Sequence, residues 1–228
     1  MIISSILSII IITKYFKYHS WEFLLVGIAI FGLAGPWFPD SITFILILFT
    51  GANYDATIYL NFTIVVNVVV TALTPISIIS WLTVITKFLE LEHRKLLIII
   101  AVILLVLFEI FLFVFVALDF NLIGVFYGPF DYQWGLYTTI YYLSSIAIVI
   151  ISGIPFALKS IKSKQLEINL KGKFLLVGLI SFIIGALIPY IFYYISALVV
   201  SRLILVTSSI ELYVGFMLPR WVKELIIK

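Results

Sequence analysis

The sequence contains no cysteine and only two histidines, His19 and His93. Without cysteine the chain can form no disulfide bond, no thiolate nucleophile and no metal site with thiolate ligands. Two histidines that both lie in polar segments between apolar runs do not make up a histidine-rich metal centre. We therefore expect neither a metal ion nor any other cofactor.

Charge is scarce as well, because 11% of the 228 residues are charged, against about 25% in soluble proteins. Hydrophobic residues make up 64% of the chain. A water-soluble domain of this size could not cover so much apolar surface, so the surrounding solvent has to be lipid. The net charge of +3 does not indicate a nucleic-acid partner, because the basic residues are spread over short loops between apolar runs. The first partner that we expect is therefore the lipid bilayer.

Sequence motifs of catalysis are missing too. The chain has no phosphate-binding glycine loop, no HExxH, no GxSxG and no pair of aspartates within an apolar run. Its last apolar run has no lysine, which a retinal protein would need. A nucleophile, a base and an orienting group cannot be combined from the residues that remain. We predict that the protein is not an enzyme and has no catalytic residues.

Seven apolar runs are present, and each is a candidate membrane-spanning helix. They cover about residues 1–18, 21–50, 56–88, 96–118, 134–158, 174–196 and 199–218, and a short basic tail follows at 219–228. We predict an all-α integral membrane protein, a seven-transmembrane helix bundle. The first run is the shortest of the seven and is barely long enough to cross the bilayer. If it lies in the membrane interface instead, the protein has six spans and the later spans are unchanged.

The basic residues fall in alternate loops. Thirteen of the fourteen lysines and arginines lie on one side of the predicted topology, and the exception is Arg202. The loops at 51–55 and 121–134 carry Asp55 and Asp131 but neither lysine nor arginine. By the positive-inside rule, the basic side faces the cytoplasm. We therefore predict a multi-pass protein of the cell membrane with its N-terminus outside and its C-terminus in the cytoplasm.

The second and third runs are longer than a bilayer requires, and both contain proline. The second would be about 45 Å long as a straight helix, whereas the hydrocarbon core is about 30 Å thick. It contains Pro36 and Pro39, and Asp40 follows as a plausible N-cap for a second helical piece. The third run contains Pro75. We predict that proline breaks or sharply kinks both spans.

Two carboxylic residues lie in the middle of predicted spans, where an ionised group is costly. Glu211 shares a helix face with Ser208 and Gly215. It could be a proton carrier, a cation site or the counter-ion of a ligand amine, or a neutral acid that is hydrogen-bonded to a neighbouring helix. Glu109 has no polar neighbour one turn away. It must therefore meet a group across the bundle, and the candidates are Arg202, Glu211 and the hydroxyls of the third span.

Arg202 lies near the outer end of the last span. It is nine residues from Glu211, which places the two on opposite sides of the helix and about 13 Å apart along it. They cannot pair with each other. Arg202 either extends its side chain to the membrane interface or meets Asp119 or Asp131.

A polar stripe runs along one face of the third span. It consists of Thr63, Asn67, Thr71 and Thr74, which recur at helical spacing. Such a stripe can line a hydrated path for an ion or a ligand, or it can hold neighbouring helices together by hydrogen bonds.

Aromatic residues are concentrated in the outer half of the later spans. The candidates for an outer aromatic pocket are Trp134, Tyr137, Tyr141, Tyr190 and Tyr193. An outward-facing pocket for an amphipathic ligand would have this composition. An ordinary aromatic belt at the membrane interface would have it too.

Four segments carry a resemblance to known proteins. They are PWFPDS at 36–41, TPISIISWL at 74–82, KGKFLLVGLISFIIGALI at 171–188 and FMLPRWVKEL at 216–225. Together they resemble archaeal multi-span membrane proteins and, more loosely, the seven-helix sensory modules that precede histidine kinase domains. The resemblance implies that the last helix runs on into a cytoplasmic signalling helix, and it assigns no functional residue. Because only residues 220–228 follow Pro219, we expect such a module to need a partner protein.

Three functions fit these observations. The first is a receptor-like sensory module that receives a ligand in the outer aromatic pocket and acts on a partner through the cytoplasmic tail. The second is a small transporter or channel, whose path would be lined by Asn67, Thr71, Thr74, Glu109 and Glu211. The third is a structural scaffold, possible also as a homo-oligomer, in which the polar residues only hold helices together.

Overall fold

The computed structural model describes residues 2–50, 56–126, 132–192 and 194–226, with side chains except at 50, 56–61, 63, 126, 132 and 195. The α-helices in these ranges are α1 (Ile2–Tyr18), α2 (Trp21–Leu33), α3 (Phe38–Thr50), α4 (Ala56–Phe88), α5 (Arg94–Leu118), α6 (Leu136–Ile161), α7 (Leu166–Ile191), α8 (Ile195–Met217) and α9 (Arg220–Ile226). Short 3-10 turns cover Gly35–Trp37 and Phe120–Leu122, and two strands, β1 (Gly124–Phe126) and β2 (Tyr132–Trp134), pair antiparallel.

Six apolar helical stretches within the described residues are long enough to cross a membrane. They are Trp21–Phe49, Ile64–Phe88, Arg94–Leu118, Leu136–Ile161, Leu166–Ile191 and Ser196–Met217. Many large apolar side chains on these helices are exposed, most of all on α5, which packs mainly against α4. Exposed apolar surface of this extent matches a lipid environment rather than water. The fold is thus all-helical apart from one small hairpin, and it indicates a multi-pass membrane protein.

Helix α1 is apolar but, at 17 residues, shorter than these six. It packs against α2 and α8 within the bundle. The Ser8 hydroxyl donates to the Gly27 carbonyl (2.6 Å), and the Oγ atoms of Ser4 and Ser209 lie 2.9 Å apart. Ile11 is fully buried. These contacts place α1 alongside two neighbouring helices, and its length of about 25 Å follows from the helical rise.

The second apolar run consists of two helices. Helix α2 ends at Leu33, the 3-10 turn follows, and α3 begins at Phe38. Asp40 lies inside the first turn of α3, so the prediction that it is an N-cap is wrong. Its side chain is directed to another helix instead, as described below.

A break at Pro75 is not confirmed, because α4 continues through it as one helix of 33 residues. Proline removes one backbone hydrogen bond, but the packing around the following turn holds the helix together. Ser77 packs directly against Gly32 of α2, where even a methyl group would not fit. The Trp81 indole is almost fully buried and donates to the Ser152 hydroxyl of α6 (3.0 Å).

Among the described helices, α7 and α8 pack most closely against each other. A Cβ atom added to Gly178 would lie 2.9 Å from the backbone nitrogen of Leu212, and one added to Gly185 would lie 2.8 Å from Leu205 Cγ. The Ser208 hydroxyl donates to the Gly178 carbonyl over 2.8 Å. Helix α7 also begins at Leu166, eight residues before the predicted span. Backbone hydrogen bonding does not stop at the apolar boundary, and the helix therefore continues through its polar first turns.

Candidate functional site

Arg202 of α8 and Asp40 of α3 form an ion pair, in which guanidinium Nη2 donates to carboxylate Oδ2. The Asp40 side chain is 9% exposed and that of Arg202 is 23% exposed. The Trp37 ring lies beside the guanidinium, with its centroid 5.9 Å from the Arg202 Cζ atom. Two opposite charges and an aromatic face are therefore brought together between segments that are otherwise apolar. The prediction that Arg202 meets Asp119 is wrong, because its partner is Asp40. Asp131 lies outside the described residues, and the extension of Arg202 to the membrane interface stays a prediction.

The local fold of residues 34–41 explains how α3 presents this carboxylate. After α2 ends, the 3-10 turn redirects the chain, and Trp37 and Asp40 are then three residues apart. Residues at this spacing share a face of a helix. On the opposite side of the pair, guanidinium Nη1 lies 3.4 Å from the Ser201 hydroxyl, which in turn donates to the Gly185 carbonyl (2.7 Å). Arg202 is thus fixed to the α7–α8 pair, whereas Asp40 belongs to the separate helix α3.

A buried ion pair of this kind has a strong energetic effect when one partner is lost. Both charges give up hydration on burial, and their mutual attraction compensates for much of that loss. Removing one charge leaves the other in an apolar setting, which typically costs about 3–5 kcal/mol. The pair therefore couples the position of α3 to that of α8 more strongly than an exposed pair would.

The described members of the polar stripe, Asn67, Thr71 and Thr74, are all buried. Thr71 Oγ1 donates to the Asn67 carbonyl (2.7 Å) and lies 2.8 Å from the Tyr142 hydroxyl of α6. The Thr74 hydroxyl donates to the Val70 carbonyl (3.2 Å) within α4. Of these hydrogen bonds, only the contact between Thr71 and Tyr142 joins α4 to α6, as the helix-clamping interpretation of the stripe requires. The side chain of Thr63 lies outside the described residues.

The predicted outer aromatic residues fall into two groups. Tyr137 stacks on Phe108 of α5 at 5.0 Å between ring centroids and donates to its carbonyl (2.6 Å), and Tyr141 stacks on the same ring. Trp134 packs instead against Tyr142, with the ring centroids 5.6 Å apart. Helix packing thus occupies these rings.

Tyr190, near the end of α7, lies in the neighbourhood of Arg202 and Tyr142. Tyr193 lies outside the described residues. An apolar groove opens nearby at the ends of α7 and α8, and its lining consists of Ile188, Phe192, Tyr194, Ser196, Ala197 and Val200. Of the predicted pocket residues that the structure describes, Trp134, Tyr137, Tyr141 and Tyr190, none is among these lining residues.

Glu109 and Glu211 are not brought together with each other or with Arg202. Each has one buried carboxylate oxygen without a hydrogen-bond partner among the described residues. Glu109 lies near the phenols of Tyr137 and Tyr141. Ser208, predicted to share the face of Glu211, directs its hydroxyl to α7 instead. The two carboxyl groups therefore lie at separate places in the bundle.

Comparison with protein-family models, with curated proteins and with solved structures finds no match to this chain. The assignment of its site accordingly rests on geometry. The arrangement of Asp40, Trp37, Arg202 and Tyr190 is the candidate site, which we call the Arg202 cluster. It offers a cation, an anion and an aromatic face, which are groups that can bind a charged ligand. Within the described residues no three histidine or carboxylate side chains are grouped so that they could hold a metal ion.

The sequence interpretation included Arg202 and Tyr190 but missed Asp40 and Trp37 as site residues. A signal was available. Asp40 is the one carboxylate in the outer half of the second apolar run, and Arg202 is the one basic residue on the outer side of the chain. Two lone opposite charges at similar depth are expected to pair, because each is costly in lipid without the other.

Proposed function

We propose that this chain is a receptor-like sensory module of the cell membrane that acts through a partner protein. The observation that carries the proposal is the Asp40–Arg202 pair. It joins α3, whose Phe44, Leu48 and Phe49 are exposed, to α8, which is packed closely against α7 and is followed by α9. A contact that links a lightly packed helix to the helix leading to the cytoplasmic tail is suited to coupling an input to an output.

The coupling would work through two states of the pair. A ligand carboxylate could replace Asp40 on the guanidinium, or a ligand cation could replace Arg202 on the carboxylate, and Trp37 and Tyr190 would contact the rest of the ligand. A ligand shifts such an equilibrium only by its difference in affinity for the two states. Release of α3 would change the packing of α8 near Arg202, and α8 would carry that change over about 22 Å to Met217, the distance given by its helical rise.

The proposal includes the finer topology. We place α1 as a seventh membrane-embedded helix, because Ser4 and Ser8 bind α8 and α2 inside the bundle. The N-terminus is then outside and the C-terminus in the cytoplasm. The positive-inside rule supports this orientation, since the ends of α4 and α6 that carry Lys87 and Lys159 lie on the same side as α9. The resemblance to seven-helix sensory modules agrees with it.

The experiment uses the absence of cysteine, which lets two introduced cysteines be labelled without background. Spin labels at Glu224→Cys on α9 and Lys95→Cys on α5 report the distance between the tail and a helix that packs mainly on α4. We expect Asp40→Asn and Arg202→Gln each to shift or broaden the distance distribution. Glu109→Gln is the matched control, because it also removes a carboxylate from a candidate span but breaks no ion pair. An unchanged distribution in both pair variants, in protein that remains folded, contradicts the proposal.

Ligand binding at the Arg202 cluster is tested by native mass spectrometry of the protein released gently from its own membrane. A non-lipid compound bound at one copy per chain in the wild type and absent from Arg202→Gln supports a ligand at the Arg202 cluster. A compound retained equally by Arg202→Gln and by the Glu109→Gln control would bind elsewhere, and this result would contradict a ligand site at the Arg202 cluster.

A small transporter or channel is the second candidate, and it is favoured by the buried oxygens of Glu109 and Glu211, which have no hydrogen-bond partner in the described part of the chain. In such a protein the two carboxyl groups would carry a proton or a cation through the membrane. Flux of protons or of monovalent cations into vesicles that contain the protein should then fall strongly in Glu109→Gln and in Glu211→Gln. Equal flux in the wild type and in both variants would exclude this path. If the substitutions change neither the tail distances nor the flux, a structural scaffold is the remaining function.

A further inference from the structure

Helix α9 contacts the bundle through its buried Val222 side chain and through the Lys223–Glu167 ion pair. After α8 the chain turns at Leu218, whose φ of 40° is left-handed, and Pro219 then precedes the helix. Val222 is buried against Leu170 of α7 and Val214 of α8. This contact fixes how α9 is rotated about its axis, and it therefore determines which residues face outward.

The outward surface of α9 is strongly apolar on one flank. Trp221 is 58% exposed and Leu225 is 71% exposed, and Ile226 is exposed as well. Trp221 and Leu225 are four residues apart and share a face beside the buried Val222. Large apolar side chains at the end of a candidate membrane span find a favourable environment where headgroups and acyl chains meet, and tryptophan is enriched at that depth.

Exposed basic residues are frequent on α9, at the start of α7 and in the turn before α7. Lys223 pairs with Glu167 in the first turn of α7, which fixes the start of α7 beside α9. Exposed basic side chains on α9, on the start of α7 and in the turn that precedes it are Lys162, Lys164, Lys173, Arg220 and Lys223. Glu167 and Glu224 are the carboxylates in the same region. The excess of positive charge next to apolar side chains is complementary to a membrane surface that carries negative headgroups.

We propose that this surface, the α9 collar, binds the bilayer through negatively charged lipid headgroups. It consists of Trp221, Leu225 and Ile226 together with the five exposed basic residues of α9, the start of α7 and the turn before α7. The apolar flank enters the interface, while the lysines and the arginine contact the phosphate groups. Anionic lipid thereby holds α9 in one position at the membrane. The inference goes beyond the proposed function, because it requires neither a ligand nor a partner protein.

The test is a depth measurement in vesicles of defined composition. Full-length protein with a single nitroxide at Leu225→Cys is reconstituted into phosphatidylcholine vesicles with and without phosphatidylglycerol. The accessibility of the label to oxygen, which enters the bilayer, is compared with that to a water-soluble nickel chelate. We expect a severalfold larger ratio of oxygen to nickel accessibility with phosphatidylglycerol. High salt should reduce this difference, because it screens the attraction between lysines and headgroups.

Two controls make the result specific. A label at Glu224→Cys, on the polar flank of α9, should remain accessible to nickel in both vesicles. The variant Lys162→Gln/Lys164→Gln should lose much of the response to phosphatidylglycerol. The matched variant Arg94→Gln/Lys95→Gln removes two charges at the start of α5 and should keep it.

Three outcomes would overturn the inference. The Leu225 label remains accessible to nickel in both kinds of vesicle, or its depth is the same with and without phosphatidylglycerol. The third is that the label is protected from both probes because a second copy of the chain covers it, which cross-linking of the same cysteine would reveal. None of them bears on the tail distances measured for Asp40→Asn and Arg202→Gln, so the proposed function is judged separately.

Discussion

Removing either charge of the Asp40–Arg202 pair should destabilise the bundle strongly, and removing both should cost clearly less than the sum. Each side chain is largely buried, so each charge depends on the other for most of its stabilisation. The expected loss for one partner is about 3–5 kcal/mol. We expect Arg202→Gln to fall within this range. Asp40→Asn should lie at its lower end, because the Trp37 ring and the Ser201 hydroxyl still contact the guanidinium.

A double-mutant cycle measures this coupling. The free energy of unfolding is determined in detergent micelles, with sodium dodecyl sulfate as the denaturant, for the wild type, both single variants and the double variant. We expect a coupling energy of about 2 kcal/mol or more, at the upper end of values for contacting residues. The Glu22–Lys87 pair is the control, because its lysine is half exposed. Its cycle should yield about 0–1 kcal/mol, as for other exposed pairs.

The reasoning would be refuted by additive effects. If the losses of Asp40→Asn and Arg202→Gln sum to that of the double variant within about 0.5 kcal/mol, the two charges do not depend on each other. A gain in stability for either single variant would likewise show that the pair does not hold α3 to α8.

Three further substitutions test the helix contacts. Gly178→Ala should lower the free energy of unfolding by about 1–3 kcal/mol, because the new Cβ would lie 2.9 Å from the Leu212 nitrogen; chemical denaturation measures it. Tyr142→Phe removes the hydrogen bond to Thr71 and should cost about 0.6 kcal/mol in the same assay. Glu109→Gln should leave stability unchanged or raise it, since an amide is easier to bury than a carboxylate with an unpartnered oxygen; a clear loss would indicate a hidden partner.

Hydropathy was sufficient to locate the apolar helices, because twenty or so consecutive apolar residues have one stable form in lipid. Hydropathy was not sufficient to predict where these helices begin and end. Helix α7 starts at Leu166 in a charged segment, since a helix held by its own hydrogen bonds extends past the apolar boundary. The continuity of α4 at Pro75 was missed for a related reason. Whether proline breaks a helix depends on the packing around it, and Ser77 against Gly32 is a contact that no local pattern contains.

The candidate site was harder to predict than the spans. The stripe of Asn67, Thr71 and Thr74 could be recognised from helical spacing alone, because its members lie on one helix. Arg202 could be recognised as unusual, but its partner depends on which helices are neighbours. Asp40 is 162 residues away in the chain. Helical spacing carries no information about such a distant pairing, and only the similar depth of the two charges in their apolar runs indicates it.

The distance in sequence between Asp40 and Arg202 also determines the order in which helix contacts form during synthesis of the protein. Helices α7 and α8 are adjacent in sequence and can associate as a hairpin as soon as both have entered the membrane. Asp40 enters the bilayer much earlier, at a time when the residue that neutralises it has not yet been synthesised. Until α8 arrives, α3 carries an uncompensated carboxylate, which disfavours its stable insertion. The contact between Asp40 and Arg202 can therefore form only after α8 has entered the membrane, late in the assembly of the bundle.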